Sequence, residues 1–303
     1  MTSEKRSDLN GLTAAEWIPL TTSVFSVPNH EPGYEVRRAH PATFNVALAE
    51  RMIRFLSKPG DTVLDPFSGT GATVIAAAKL GRIGIGIELY QKWIDLTHKV
   101  IAAEYRKTPT TKAVQSGLGR WSEDEDLKDP VSERWDDIEL LRGDSTKTMG
   151  TLGRASVDFL LCSPPYADIL SQRLTGGSKL TRQRLREEEG LALSYGDDKS
   201  DIGRMDLEAW LEYMRQWALT AAIVVKPGKF MTIVVQNIVT KDGLIPLAWR
   251  LGETIGAIKE WSLHSDNIWH QKHKAGRIAG WPSNPMQSNH HNYVLIFRRL
   301  PNE

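Results

Sequence analysis

The residues with the clearest chemical potential lie in LDPFSGTGAT, where a short apolar run delivers Asp65 and is followed by Ser68, Gly69, Thr70 and Gly71. Two glycines in so short a turn let backbone amides come close to a ligand, because no Cβ stands in the way. Glu88 closes the next apolar run, IGIGIEL, about 20 residues further on, where an acidic side chain accepts hydrogen bonds from ribose hydroxyls. Together these residues describe a nucleoside cleft. A dinucleotide-binding dehydrogenase fits less well: its G-x-G-x-x-G fingerprint asks for a third glycine where Val74 stands after Gly69 and Gly71. The blandest alternative is a tight turn with Glu88 as surface charge. A second signal is VDFLLCSPPY, in which Pro164 and Pro165 cannot continue a sheet ladder, so the strand stops and its end opens on a cleft.

These groups need a frame that brings strand ends together. ATFNVALAERMIRFLS has apolar residues at Phe44, Val46, Leu48, Met52, Ile53 and Phe55 and predicts a helix stopped by Lys58, Pro59 and Gly60. TVLDPF reads as a buried parallel strand, SGTGATVIAAAKLGR as a glycine turn and alanine-rich helix, IGIGIEL as a strand, and 91–107 as a helix. IELLRGD predicts a strand ending at Asp144, and VDFLLC another. LEAWLEYMRQWALTAAIVV is helical and closed by Lys226, Pro227 and Gly228, followed by strand FMTIVVQNIV, helix IPLAWRLGETIGA and strand NYVLIF. Alternating strands and helices predict an α/β fold, a doubly wound Rossmann-like domain with a mostly parallel sheet and one late antiparallel strand. Residues 1–37 read as a leader and 38–303 as a single catalytic domain, with polar insertions at about 108–137 and 167–205.

Composition narrows the setting. At 41% hydrophobic and 25% charged the 303 residues are ordinary for a water-soluble protein, and a net charge of +1 makes any polyanion-binding surface a local feature. The single cysteine, Cys162, forms no internal disulfide, and neither a signal peptide nor an apolar run of about 20 residues is present, so a cytoplasmic location is expected and no membrane partner. Ten tryptophans invite a stacking role for some, although buried tryptophans are usually core.

DPFSGTGAT with Glu88, followed by CSPPY, resembles the S-adenosylmethionine-dependent amino-methyltransferase family of DNA enzymes, over roughly residues 38–300. By that resemblance, Asp65, Phe67, Ser68, Gly69, Thr70, Gly71 and Thr73 hold the methionine part of S-adenosylmethionine. Glu88 with Leu89 holds the ribose, Asp144 with Ser145 the adenine, and His40 and Pro41 help wrap the cofactor. SPPY is then the catalytic turn: Ser163 and the Pro164 carbonyl accept hydrogen bonds from an exocyclic base amine and aim its lone pair at the methyl group. Pro165 fixes the backbone, and Tyr166 stacks on the base after it leaves the double helix. A serine at the first position resembles the cytosine-N4 enzymes, and adenine N6 is the alternative target. A DNA-binding module without catalysis is the reading from another class, and Cys162, lying before the serine, fits packing better than nucleophilic attack.

The motif order resembles the gamma arrangement of the family, and double-stranded DNA is the expected partner. Arg173, Lys179, Arg182 and Arg184 in the loop after SPPY, and Trp269, Lys272, Lys274 and Arg277 near the end, are candidates for phosphate contacts and for a tryptophan wedge, against the alternative of a solvated charged face. The sequence ends soon after its last strand, so a large separate recognition domain is not expected. Sequence recognition then falls to 108–137, 167–205 or 262–290, or to a partner subunit, a homodimer included. The histidines at 264, 270, 273, 290 and 291 lack metal-ligand spacing, and no metal is expected.

Overall fold

A computed structural model describes residues 9–28, 37, 39–40, 45–107, 137–166, 188–189, 196–198, 200–240, 243–272 and 289–301. Its centre is an eight-stranded sheet of β1 (Val24–Phe25), β2 (Thr62–Asp65), β3 (Ile83–Glu88), β4 (Ile138–Arg142), β5 (Val157–Cys162), β6 (Val225–Val235), β9 (Trp261–His270) and β10 (His291–Arg299), in spatial order β1-β9-β10-β6-β5-β2-β3-β4. A small hairpin, β7 (Ile238–Thr240) and β8 (Gly243–Ile245), stands apart from it. Every neighbouring pair is parallel except those made by β10, which runs against both β6 and β9. The expected single late antiparallel strand is therefore β10.

Strand periodicity sorts the core into two layers. Along β5, Leu160 and Cys162 enter the layer beneath α5 (Ser145–Met149), α6 (Leu207–Val224) and α7 (Leu247–Gly256), while Phe159 and Leu161 face α2 (Val46–Leu56) and α3 (Ala72–Lys79). β10 divides in the same way, with Leu295 and Phe297 on one side and Val294 and Ile296 on the other. A third cluster joins α3 to α4 (Gln91–Lys107) through Val74, Ile75, Val100 and Ile101. The amphipathic α2 begins at Asn45, whose side chain accepts from Leu48 N at 3.1 Å and so caps the free amides of the first turn. Trp210, Trp217 and Trp261 are fully buried, each with its indole N–H satisfied, by Pro165 O, Ser145 Oγ and Ala218 O.

Several local expectations change. Lys226, Pro227 and Gly228 do end helix α6, but they lie inside β6 as a bulge: Val157 pairs with Val225, and the ladder resumes only at Phe159 and Phe230. The strand expected through Ile238 breaks at Gln236 and Asn237, where the Asn237 side chain accepts from Ala248 N at 2.8 Å and caps α7. The strand expected to reach Asp144 ends at Arg142, and Asp144 becomes the N-cap of α5. Part of the leader, Val24–Phe25, adds edge strand β1 to the sheet beside β9. The insertion expected at 108–137 lies outside the described residues up to 136. Among the described residues no helix is long and apolar enough to cross a membrane.

Candidate active site

β2, β3 and β5 run in parallel and lie side by side, with Leu64 opposite both Ile85 and Leu160. Their carboxyl ends therefore share one edge of the sheet, which brings Asp65, Glu88 and the SPPY turn together, about 5 Å separating neighbouring strands. This is the edge at which doubly wound sheets hold ligands.

The glycine turn is tied to this edge by its backbone. Ser68 N donates to Ile87 O at 2.9 Å, Gly71 N to Ser68 O at 2.8 Å, and Gly69 N to Glu88 Oε2 at 2.9 Å. Gly69 and Gly71 both adopt positive φ, +51° and +74°. At Gly71 a Cβ would stand 2.3 Å from Thr97 Cγ2, so helix α4 packs directly against a turn that only glycine permits. The rings of His40 and Trp93 meet edge-on at 4.5 Å, and His40 packs against Gly69. Buried Arg37 donates from Nε to Thr70 Oγ1 at 3.2 Å. Among the described residues Ser68 Oγ, buried beside Gly86, has no hydrogen-bond partner.

Two acids at this edge are desolvated. Asp65 accepts from Thr73 Oγ1 at 2.5 Å and from Phe67 N at 3.0 Å, yet burial pushes its carboxyl up to about 6. Glu88 accepts from Gly69 N and from Tyr90 N (3.0 Å); burial, with the nearby Asp65 charge as a lesser cause, pushes it up to about 7. Among the described residues no cation pairs with either. Such acids gain from a ligand that brings hydroxyl donors. Asp144 is less open: Oδ1 accepts from Lys147 N at 2.9 Å, and Tyr213 Oη lies 3.5 Å from Oδ2. The next side chain, Ser145, is buried against Trp217.

On the SPPY turn, Ser163 Oγ donates to Val234 O at 3.0 Å on β6. Its only proton is thereby committed, and towards a ligand the hydroxyl acts as an acceptor. The Pro165 carbonyl accepts from Trp210 Nε1 at 2.8 Å, which anchors the turn to helix α6. Tyr166 packs partly buried against the larger core cluster. Cys162 is fully buried, and burial pushes its thiol far up, as packing requires and a nucleophile does not.

The basic candidates divide. Lys272 is exposed just beyond β9. Trp269 is 7% exposed and packs in the core cluster with Phe25 and Val294, so it is a core side chain and no wedge. Its position in β9 explains this, because alternate residues of a strand that reads as polar still face the core. Arg173, Lys179, Arg182, Arg184, Lys274 and Arg277, and Pro41 of the cofactor set, lie outside the described residues. Sequence reasoning did not find Arg37, Trp210 or the Val234 carbonyl; the last is backbone and leaves no mark in residue type.

A family model described as a DNA methylase matches residues 4–99. The Type II methyltransferase M.BglI of Bacillus subtilis is 35% identical over 99 residues, 32% of this chain and 27% of that protein. M.HinfI of Haemophilus influenzae is 48% identical over 65 residues, 22% of this chain and 18% of that protein. The chain thus spans no more than 27% of the length of these relatives. Among solved structures, TrmN from Thermus thermophilus superposes with a TM-score of 0.50 at 14% identity, covering 88% of this chain and 53% of that one, which is a likeness of fold. Over residues 4–99 the chain is similar to the DNA methylase family.

Proposed function

We propose that the protein is an S-adenosylmethionine-dependent DNA methyltransferase acting on an exocyclic base amine, with cytosine N4 as its target. The observation that carries this reading is Ser163: its proton is held by Val234 O, so it meets a ligand as an acceptor, at the same sheet edge as the glycine turn.

The residues present fit the cofactor. The turn at Ser68–Gly71 is built for close approach, Ser68 Oγ is buried with no partner among the described residues, and Glu88 is an under-solvated acceptor of the kind a ribose diol satisfies. When bound, S-adenosylmethionine supplies an activated methyl group. The protein supplies placement: Glu88 orients the ribose, His40 and the glycine turn enclose the methionine part, and Asp144 stands at the adenine end. An exocyclic amine is a weak nucleophile because its lone pair is spread into the ring. Accepting hydrogen bonds at Ser163 Oγ and at the Pro164 carbonyl draws that pair out of conjugation and turns it towards the methyl group, and Trp210 keeps the turn from shifting by holding the Pro165 carbonyl. Tyr166 stacks on a base swung out of the duplex, and Lys272, with the basic residues at 173–184 and 274–277, neutralises phosphates.

The test is incubation with labelled S-adenosylmethionine and mixed-sequence duplex DNA, followed by mass spectrometry of the nucleosides. N4-methylcytosine is expected. N6-methyladenine alone overturns the cytosine assignment, and DNA binding with no methylated base overturns catalysis.

A further inference from the structure

A segment following the SPPY turn folds back across the active edge. Gly196–Asp198 and Ser200–Arg204 run from β3's end to the SPPY turn, and Tyr90, two residues beyond Glu88, holds them. Tyr90 Oη donates to Asp201 Oδ2 at 3.0 Å and accepts from Asp198 N at 3.1 Å. Gly196 lies so close to the Tyr90 ring that a Cβ there would be 2.2 Å from Cε1. At the other end, the place of a Cβ on Gly203 is 3.4 Å from Pro165 Cβ and 3.5 Å from the Tyr166 carbonyl. Asp201, 5% exposed, joins the two ends, because its Oδ1 accepts from Gly203 N at 2.9 Å.

We propose that Tyr90 is a positioning residue of the transfer site: its hydroxyl, through Asp201 and Gly203, fixes the backbone of Pro165 and Tyr166 relative to Glu88. The proposal rests on the methyltransferase reading above. Two parts of the site on different strands must keep a separation good to a fraction of an ångström for in-line transfer. The strand frame sets where β3 and β5 end, and Tyr90 ties the chain beyond each end to the other. Burial pushes the Tyr90 phenol up to about 12, so the hydroxyl remains a donor throughout the neutral range. The backbone amide of Tyr90, which donates to Glu88, does not depend on the hydroxyl.

The test is Tyr90→Phe, which keeps the ring against Gly196 and removes the hydroxyl, leaving a buried carboxylate oxygen and an amide without that partner. We expect kcat for DNA methylation to fall about tenfold while the dissociation constant for S-adenosylhomocysteine, measured by calorimetry, changes by less than about twofold. Amide exchange should quicken in the peptides carrying Asp198 and Gly203. Asp201→Asn breaks the same link from the other side and is expected to move kcat in the same direction; it decides the matter if Tyr90→Phe does not fold. An unchanged kcat in the folded variant, or a loss of melting temperature with kcat per folded molecule intact, overturns the proposal. An unmodified protein that binds no S-adenosylhomocysteine and methylates no base instead overturns the reading on which it rests.

Discussion

The two edges of the same sheet treat their buried acids in opposite ways. At the amino edge, Asp158 on β5 is 5% exposed; burial alone would raise its pKa, but Lys226 Nζ at 2.7 Å, the Thr62 amide and Lys229 Nζ at 3.2 Å more than offset this and hold it below the usual range. Lys229 also pairs with Asp61 at 3.1 Å, so the bulge in β6 and the start of β2 are locked to β5. At the carboxyl edge, Asp65 and Glu88 have, among the described residues, only hydroxyl and amide partners, and burial raises them to about 6 and about 7. One edge is electrostatically complete, and the other is held incomplete at a cost in stability. This contrast supports the carboxyl edge as the proposed ligand site, because desolvated acids with no cation beside them among the described residues persist where a binding partner completes them.

Breaking the complete edge should give the largest effect. Asp158→Ala takes the acceptor from Lys226 and from the Thr62 amide and leaves Lys229 with Asp61 alone, and it is expected to cost about 3 kcal/mol of stability, read as a lower urea midpoint with unchanged cofactor affinity per folded molecule. On the incomplete edge the loss should appear in turnover instead. Ser163→Ala removes an acceptor without opening the core, so kcat should fall about 30-fold with the melting temperature nearly constant. Glu88→Gln is expected to weaken S-adenosylhomocysteine about tenfold at pH 8. If Glu88→Gln lowered only stability and Asp158→Ala lowered cofactor affinity, the contrast between the edges would be reversed.

The smallest effect concerns pH. Because Glu88 lies at about 7 when folded against an ordinary 4.5, the folded state binds more protons than the unfolded chain between those values. The stability tied to this group is therefore full below 4.5 and is lost as pH rises through about 7. Relative to Glu88→Gln, the ligand-free protein should lose about 1 kcal/mol between about pH 6 and pH 8, measured by denaturant unfolding.

Much of this was legible in the sequence, for physical reasons that differ by element. Buried parallel strands such as VDFLLC announce themselves because both faces are apolar, and the glycine turn and double proline fix where strands end. β9 escaped notice because WSLHSDNIWH lies near the sheet's edge and buries only part of its length, so Trp269 looked like an exposed aromatic. The break after Val235 depends on Asn237 capping α7, a tertiary contact that no local pattern reveals. Within the site, residue types pointed to Asp65, Glu88 and Ser163, but not to the donor role of Ser163 towards a backbone carbonyl or to the link from Tyr90 to Asp201.

Whether an adenosyl ligand completes Glu88 can be read by titrating S-adenosylhomocysteine into the protein at about pH 6 and pH 8, in two buffers of different ionisation enthalpy. If the adenosyl ligand completes Glu88 in its charged form, binding releases a proton near neutrality and tightens about tenfold from pH 6 to pH 8. Equal affinity at both values with no proton released, or no binding at either, would contradict it.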